Sequence, residues 1–148
     1  MAALEFFVPT NRYDGKGRRT HLDGLNELIA AHNKGRKPAA RLKRQNGRNA
    51  EGHCLAAMRE AGWEMPMGKC IVTITFVEVD RRRDPDNIFG GAKFLLDGIT
   101  LPRGQKEYGA GAIVDDSQRF VSLRLPDPVV DRHHPGAWIR IEEVPDGR

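Results

Sequence analysis

Two cysteines in 148 residues, Cys54 and Cys70, are too few for a disulfide framework. They form no Cys-x-x-Cys pair, and the five histidines stand at no zinc-finger spacing, so a structural zinc knuckle is excluded. Two reduced thiols in or near the core of a cytoplasmic protein are expected instead. Long apolar runs are also missing. The best, around Ile71–Thr75, already contains two threonines and is far shorter than a membrane span. The opening Met1–Thr10 carries Glu5 and Pro9 and has neither the basic start nor the apolar stretch of a secretory signal. Neither membrane insertion nor export is expected.

Acid is scarce in one part of the chain. Residues 1–83 hold 16 Lys and Arg against 9 Asp and Glu, whereas residues 84–148 hold 8 against 11, so the net charge of +4 averages two unlike halves. Between Glu27 and Glu51 there is no acid at all, and Lys34, Arg36, Lys37, Arg41, Lys43, Arg44 and Arg48 fall in that window. A polyanion is the natural partner of such a stretch, although a solvated helix face has the same composition.

The patterning predicts one α+β domain over residues 1–148, a small mixed sheet packed with two to three helices. Leu4–Pro9 reads as a short strand and Thr10–Thr20 as a loop. A basic helical segment covers about 22–61, beginning with Leu25, Leu28 and Ile29 on one face and weakening at Asn33–Pro38. Within its second part, Gly47 and Gly52 argue against continuity. Lys69–Val79 alternates as a strand, and Pro85 to Ile99 reads as a helix with an apolar stripe. Pro102–Gly111 reads as a loop, with further strands at Arg119–Leu125 and Ala137–Val144.

The chemistry concentrates in Arg81-Arg82-Arg83-Asp84-Pro85-Asp86-Asn87, at a strand-to-helix junction. In extended chain, residues i and i+2 point to one side, which would aim Asp84 and Asp86 at one hard cation. Either acid alone would serve as a helix N-cap, which is the plainer reading. An EF-hand loop starting at Asp84 is excluded, because Phe89 stands where its glycine belongs and Leu95 where its glutamate belongs. A second pair, Asp115-Asp116, reads as a turn when taken alone. Together with Asp84 and Asp86 it suggests a three-carboxylate magnesium site. Lys93, two helical turns after Asp86, would face the same way and offset developing charge, with Asp97 holding it from i+4. A surface Lys93–Asp97 ion pair is the simpler alternative.

These stretches, followed by Lys93-Phe94-Leu95-Leu96-Asp97-Gly98-Ile99 and Ile113-Val114-Asp115-Asp116-Ser117, resemble the RusA family of Holliday junction resolvases. The similarity runs over about Pro66–Val144 and is closest to a longer-helix branch found in phages and prophages. The resemblance implies a RusA-like homodimer that binds four-way DNA junctions and makes paired symmetric nicks, in recombination and repair. It implies Asp84, Asp86 and Asp116 as magnesium ligands, with manganese as a substitute, and Lys93 as the catalytic lysine. Asn87, Asp97 and Asp115 would support them. Arg81, Arg82 and Arg83, together with the Lys34–Arg48 cluster, would contact DNA phosphates. In the family's compact form Asn and Lys stand three residues apart, whereas Asn87 and Lys93 are six apart. The alternative is a non-catalytic branched-DNA-binding protein whose acidic site is structural.

Overall fold

A computed structural model describes residues 2–145. The chain runs β1 (Ala3–Pro9), α1 (Leu25–Lys34), α2 (Arg36–Ala61), β2 (Cys70–Glu78), α3 (Pro85–Phe89), α4 (Ala92–Ile99), β3 (Val121–Arg124), β4 (Val129–Val130) and β5 (Gly136–Glu143). The sheet order is β1-β5-β2-β3, with β4 also on β2. β5 runs antiparallel to both of its neighbours, and β3 and β4 run parallel to β2. The result is a single α+β domain with a mixed sheet, as the patterning predicts, though with four helices among the described residues where two to three are expected.

Alternation along β2 sets the two faces. Cys70, Val72, Ile74 and Phe76 are buried and pack into one core with Leu4, Phe6 and Val8 of β1, Ala137, Ile139 and Ile141 of β5, Ala50 and Cys54 of α2, and Leu95 and Ile99 of α4. Thr73 and Thr75 point the other way, on the side that carries Phe7 and Trp138. Both cysteines are buried and free, as expected, and burial pushes the Cys54 thiol up to about 12.

Four expectations need correction. The first helix begins at Leu25, not Leu22: Gly24 takes the N-cap, Glu27 Oε1 accepts its backbone N–H at 2.7 Å, and Leu22 turns into the core. α1 buries no residue, so its apolar stripe is a surface feature, with Ile29 49% exposed. The break before α2 is the single residue Gly35, at φ 133°, and Pro38 is accommodated in the first helical turn, where no N–H is needed. The helix foreseen over Pro85–Ile99 is two helices, α3 and α4, separated at Gly90-Gly91.

The glycines of α2 and α4 are contact points rather than breaks. A Cβ on Gly47 would run into the Tyr108 ring, and one on Gly98 would meet the Gly47 carbonyl and come within 2.6 Å of the Ala50 Cβ. The two helices cross backbone to backbone there, which explains an uninterrupted α2. The pair of glycines after α3 does the same work: Gly90 sits against Leu25, and Gly91 against the Asp23 carbonyl. α3 is thereby seated on the start of α1.

Candidate active site

The strand β2 delivers Asp80–Asp84 to one end of the sheet, and Pro85 starts α3 directly. Asp84 is the N-cap (φ −69°, ψ 144°), Pro85 is the first helical residue, and Asp86 follows in the first turn. The same-side argument for extended chain does not hold here, because Asp86 is already helical. Asp84 occupies the capping position but makes no side-chain capping bond. Among the described residues neither carboxylate has an ion-pair partner within 4.0 Å, and both are exposed. Two acids at a helix N-terminus, turned to solvent and free of internal partners, form a hard oxygen pair favoured by the helix dipole.

Asn87 and Arg83 build the frame around this pair. Asn87 is buried, and its Oδ1 accepts the Asn26 backbone N–H at 2.8 Å, tying α3 to α1. Arg83 was expected to face DNA, and this is corrected: its side chain is only 12% exposed and turns inward. Its Nη1 donates to the Leu22 carbonyl at 2.8 Å and lies 3.5 Å from Glu78, while Nη2 lies 3.9 Å from Glu27. Glu78 is buried on the helix-covered face of β2, where burial pushes its carboxyl up and Arg83 opposes that shift. A guanidinium held among two carboxylates and a carbonyl is a structural clamp. Arg81 and Arg82 remain exposed, with Arg82 3.7 Å from Asp80.

Lys93 is the exposed residue of α4 among buried Ala92, Phe94, Leu95 and Leu96. It lies on a different helix from Asp86, beyond the Gly90-Gly91 break. Asp97, one turn further, is half-buried. The expected ion pair is not formed, and among the described residues no cation lies within 4.0 Å of the Asp97 carboxylate. Burial pushes that carboxyl up, Lys93, Lys106 and Lys43 pull it down, and Asp116 raises it again. Lys106 donates from Nζ to the Asp97 backbone carbonyl at 2.8 Å and to Thr100 Oγ1 at 2.7 Å. The sequence reading missed Lys106 and Tyr108, which close this end of α4 from the glycine-rich loop. The only available signal was a lone aromatic in a polar stretch.

A raised carboxyl in the folded state contributes stability that is fully present below its ordinary value of 3.8 and is lost as pH rises through the raised value. Asp97→Asn should therefore remove part of the fall in stability above about pH 4. Urea midpoints for both proteins, taken across pH 4 to 7, check this. Parallel curves would show that Asp97 titrates normally.

The second acidic pair divides its tasks. Asp115 pairs with Arg103 at 3.0 Å and accepts the Asp116 backbone N–H at 2.9 Å, and that hydrogen bond, with Arg103 beside it, holds its carboxyl below the usual range. Asp116 is exposed, with no ion-pair partner among the described residues. It lies close enough to Asp97 to disfavour charge there, which places it toward the α4 end of the site. Among the described residues no three His, Cys, Asp or Glu side chains form one metal-binding group. Asp84, Asp86 and Asp116 are each exposed and without an ion-pair partner among the described residues.

The basic segment is exposed as expected. Lys34, Arg36, Lys37, Arg41, Arg44 and Arg48 face solvent and Lys43 is half-buried, while Ala39, Asn46, Gly47, Ala50 and Cys54 line the inner side of α2. No helix among the described residues is long and apolar enough to cross a membrane. Comparison with known proteins finds no matching family model and no matching curated protein.

Proposed function

We propose that the chain is a magnesium-dependent, structure-selective endodeoxyribonuclease that resolves four-way DNA junctions by paired nicks. It would act as a homodimer in the reducing interior of the cell. The observation that carries this reading is Asp84: an acid in the N-cap position that gives its helix no capping bond and stands free beside Asp86. A carboxylate needed only for capping would be spent on the backbone.

The donor set fits the metal. Magnesium is commonly held by one or two carboxylates together with substrate phosphate, and keeps several waters. Asp84, Asp86 and Asp116 would hold it. Bound there, the cation would stabilise the charge that develops as a phosphodiester is hydrolysed. Lys93, exposed on α4, would hold the phosphate next to the scissile one or offset negative charge at the pair. Arg81, Arg82 and the exposed face of α2 would hold the duplex arms through phosphates. One small domain supplies one site, so cutting two opposed strands needs two copies related by a two-fold axis.

The test is cleavage of end-labelled four-way, three-way and linear DNA with magnesium, mapping each strand. The expected result is nicks placed symmetrically on opposed strands of the four-way junction. Unsymmetrical nicks on linear duplex would refute junction resolution. Junction binding with no cleavage under any divalent cation would assign the chain to non-catalytic branched-DNA binding.

A further inference from the structure

The face of the sheet turned away from the helices carries two grooves, and of their residues only Arg82 is also used in the proposed nuclease reading. The first is lined by Arg18 and Arg19 from the loop after β1, Arg82 from the turn after β2 and Arg132 from the turn after β4, with Val79 beneath them. Its two acids are already engaged. Asp14 accepts the backbone N–H groups of Lys16 and Arg18 at 2.8 and 2.9 Å and the Arg18 Nε at 3.0 Å, and Asp80 accepts the Arg82 N–H at 3.0 Å. Arg18 and Arg82 stand beside these acids and Arg19 donates to the Thr10 carbonyl, so the four guanidinium groups and two carboxylates leave the groove with a net charge of about +2, open to anions.

Two residues back along β2, about 7 Å at strand spacing, Val77 floors the second groove. Phe7, Trp138, Val129, Val130, Asp131 and His134 surround it, and Asp131 accepts the His133 backbone N–H at 3.0 Å and lies 3.4 Å from the His134 ring. Trp138 is 46% exposed, an unusual position for an indole on a sheet. It is not loose, because Phe7 braces it at 5.1 Å between centroids and a 55° tilt. Arg140 beside it is occupied by Glu5 and Glu142, both at 3.2 Å.

An arginine groove alone would take any polyanion, and a braced tryptophan alone any apolar surface. Side by side on one open face they match a ligand that alternates phosphates with flat rings. Paired bases are stacked inside a duplex and cannot reach Trp138, whereas an unpaired strand presents both features. We propose that this face binds an unpaired DNA strand, its backbone along Arg18, Arg19, Arg82 and Arg132 and one base stacked on Trp138. The choice of DNA rests on the proposed function.

The full-length chain is titrated in EDTA against labelled oligothymidylate of about 15 nucleotides and against a blunt duplex of equal length. Trp138→Leu is expected to weaken oligothymidylate binding about tenfold or more and to leave duplex binding unchanged, while Trp138→Phe retains most of it. Arg18→Gln with Arg132→Gln should lower the salt slope of single-strand binding by about 1.4, two contacts at about 0.7 each. Unchanged single-strand affinity in Trp138→Leu overturns the proposal. So does a Trp138→Leu protein that merely passes from dimer to monomer at the same affinity, since the face would then belong to a second copy. Should Trp138→Leu fail to fold, the arginine pair and Trp138→Phe decide the matter. No cleavage occurs in EDTA, so a chain that binds the strand but never cuts DNA refutes the nuclease reading alone.

Discussion

Asp84→Asn is expected to lower magnesium-dependent cleavage of a four-way junction by about a hundredfold or more and to leave the fold intact. Loss of a metal-holding carboxylate removes a few kcal/mol of transition-state stabilisation, at about 1.4 kcal/mol per tenfold in rate. Stability should hardly change, for two reasons. Asp84 makes no capping bond to lose, and asparagine caps a helix as well as aspartate does. The shift should stay within about 0.5 kcal/mol, as for other exposed sites. Junction binding in EDTA should hold or tighten, because a negative charge near phosphates has gone. Asp86→Asn should behave alike. Asp116→Asn is the informative third variant. An equal loss of rate with unchanged binding would show that the acid near Asp97 joins the pair in the working complex. Full cleavage by Asp84→Asn would refute the assignment of the metal site.

The largest effect on stability is expected at Arg83. Arg83→Ala would leave Glu78, 4% exposed at its side chain, without the cation 3.5 Å away, and would free the Leu22 carbonyl. Breaking one side of a buried ion pair costs about 3–5 kcal/mol, a large share of the roughly 5–15 kcal/mol that holds a domain together. Urea unfolding followed by far-UV circular dichroism would measure it. The double variant Arg83→Met with Glu78→Leu should recover most of the loss, because replacing both charges removes the desolvation cost along with the attraction. A loss below about 1 kcal/mol in Arg83→Ala would mean that Glu78 is solvated well enough without its partner. The same variant also tests what Arg83 does for DNA: with the side chain inward, the salt dependence of binding should stay unchanged in any protein that still folds.

The sheet was legible because β2 alternates from Cys70 to Phe76 and β5 does so over most of its length. Periodicity also exposed the buried stripe of α4. What it missed was decided by contacts across the chain. Nothing near Arg83 in sequence announces Glu27, and nothing near Asn87 announces Asn26, so a clamp and a splice read as two more polar site residues. Gly47 looked like a weakness in α2 because the Tyr108 ring it accommodates lies in a distant loop. β4 is two residues long and was hidden in a stretch rich in proline and aspartate. For the site, the acids were legible as residue types, and their freedom from internal partners was not.

The pairing of β1 with β5 sets the order in which the molecule can assemble. Ala3 lies opposite Glu142 and Pro9 opposite Gly136, so the edge strand formed from the earliest residues closes on the latest strand. β5 then lies between β1 and β2, and no ladder joins those two directly. Until β5 has left the ribosome, Leu4, Phe6 and Val8 have no sheet to enter. Contacts that span nearly the whole chain carry a large loop-closure cost and slow the search for the native state. The helices can form early and locally, whereas the platform that carries Phe7 and Trp138 is completed last.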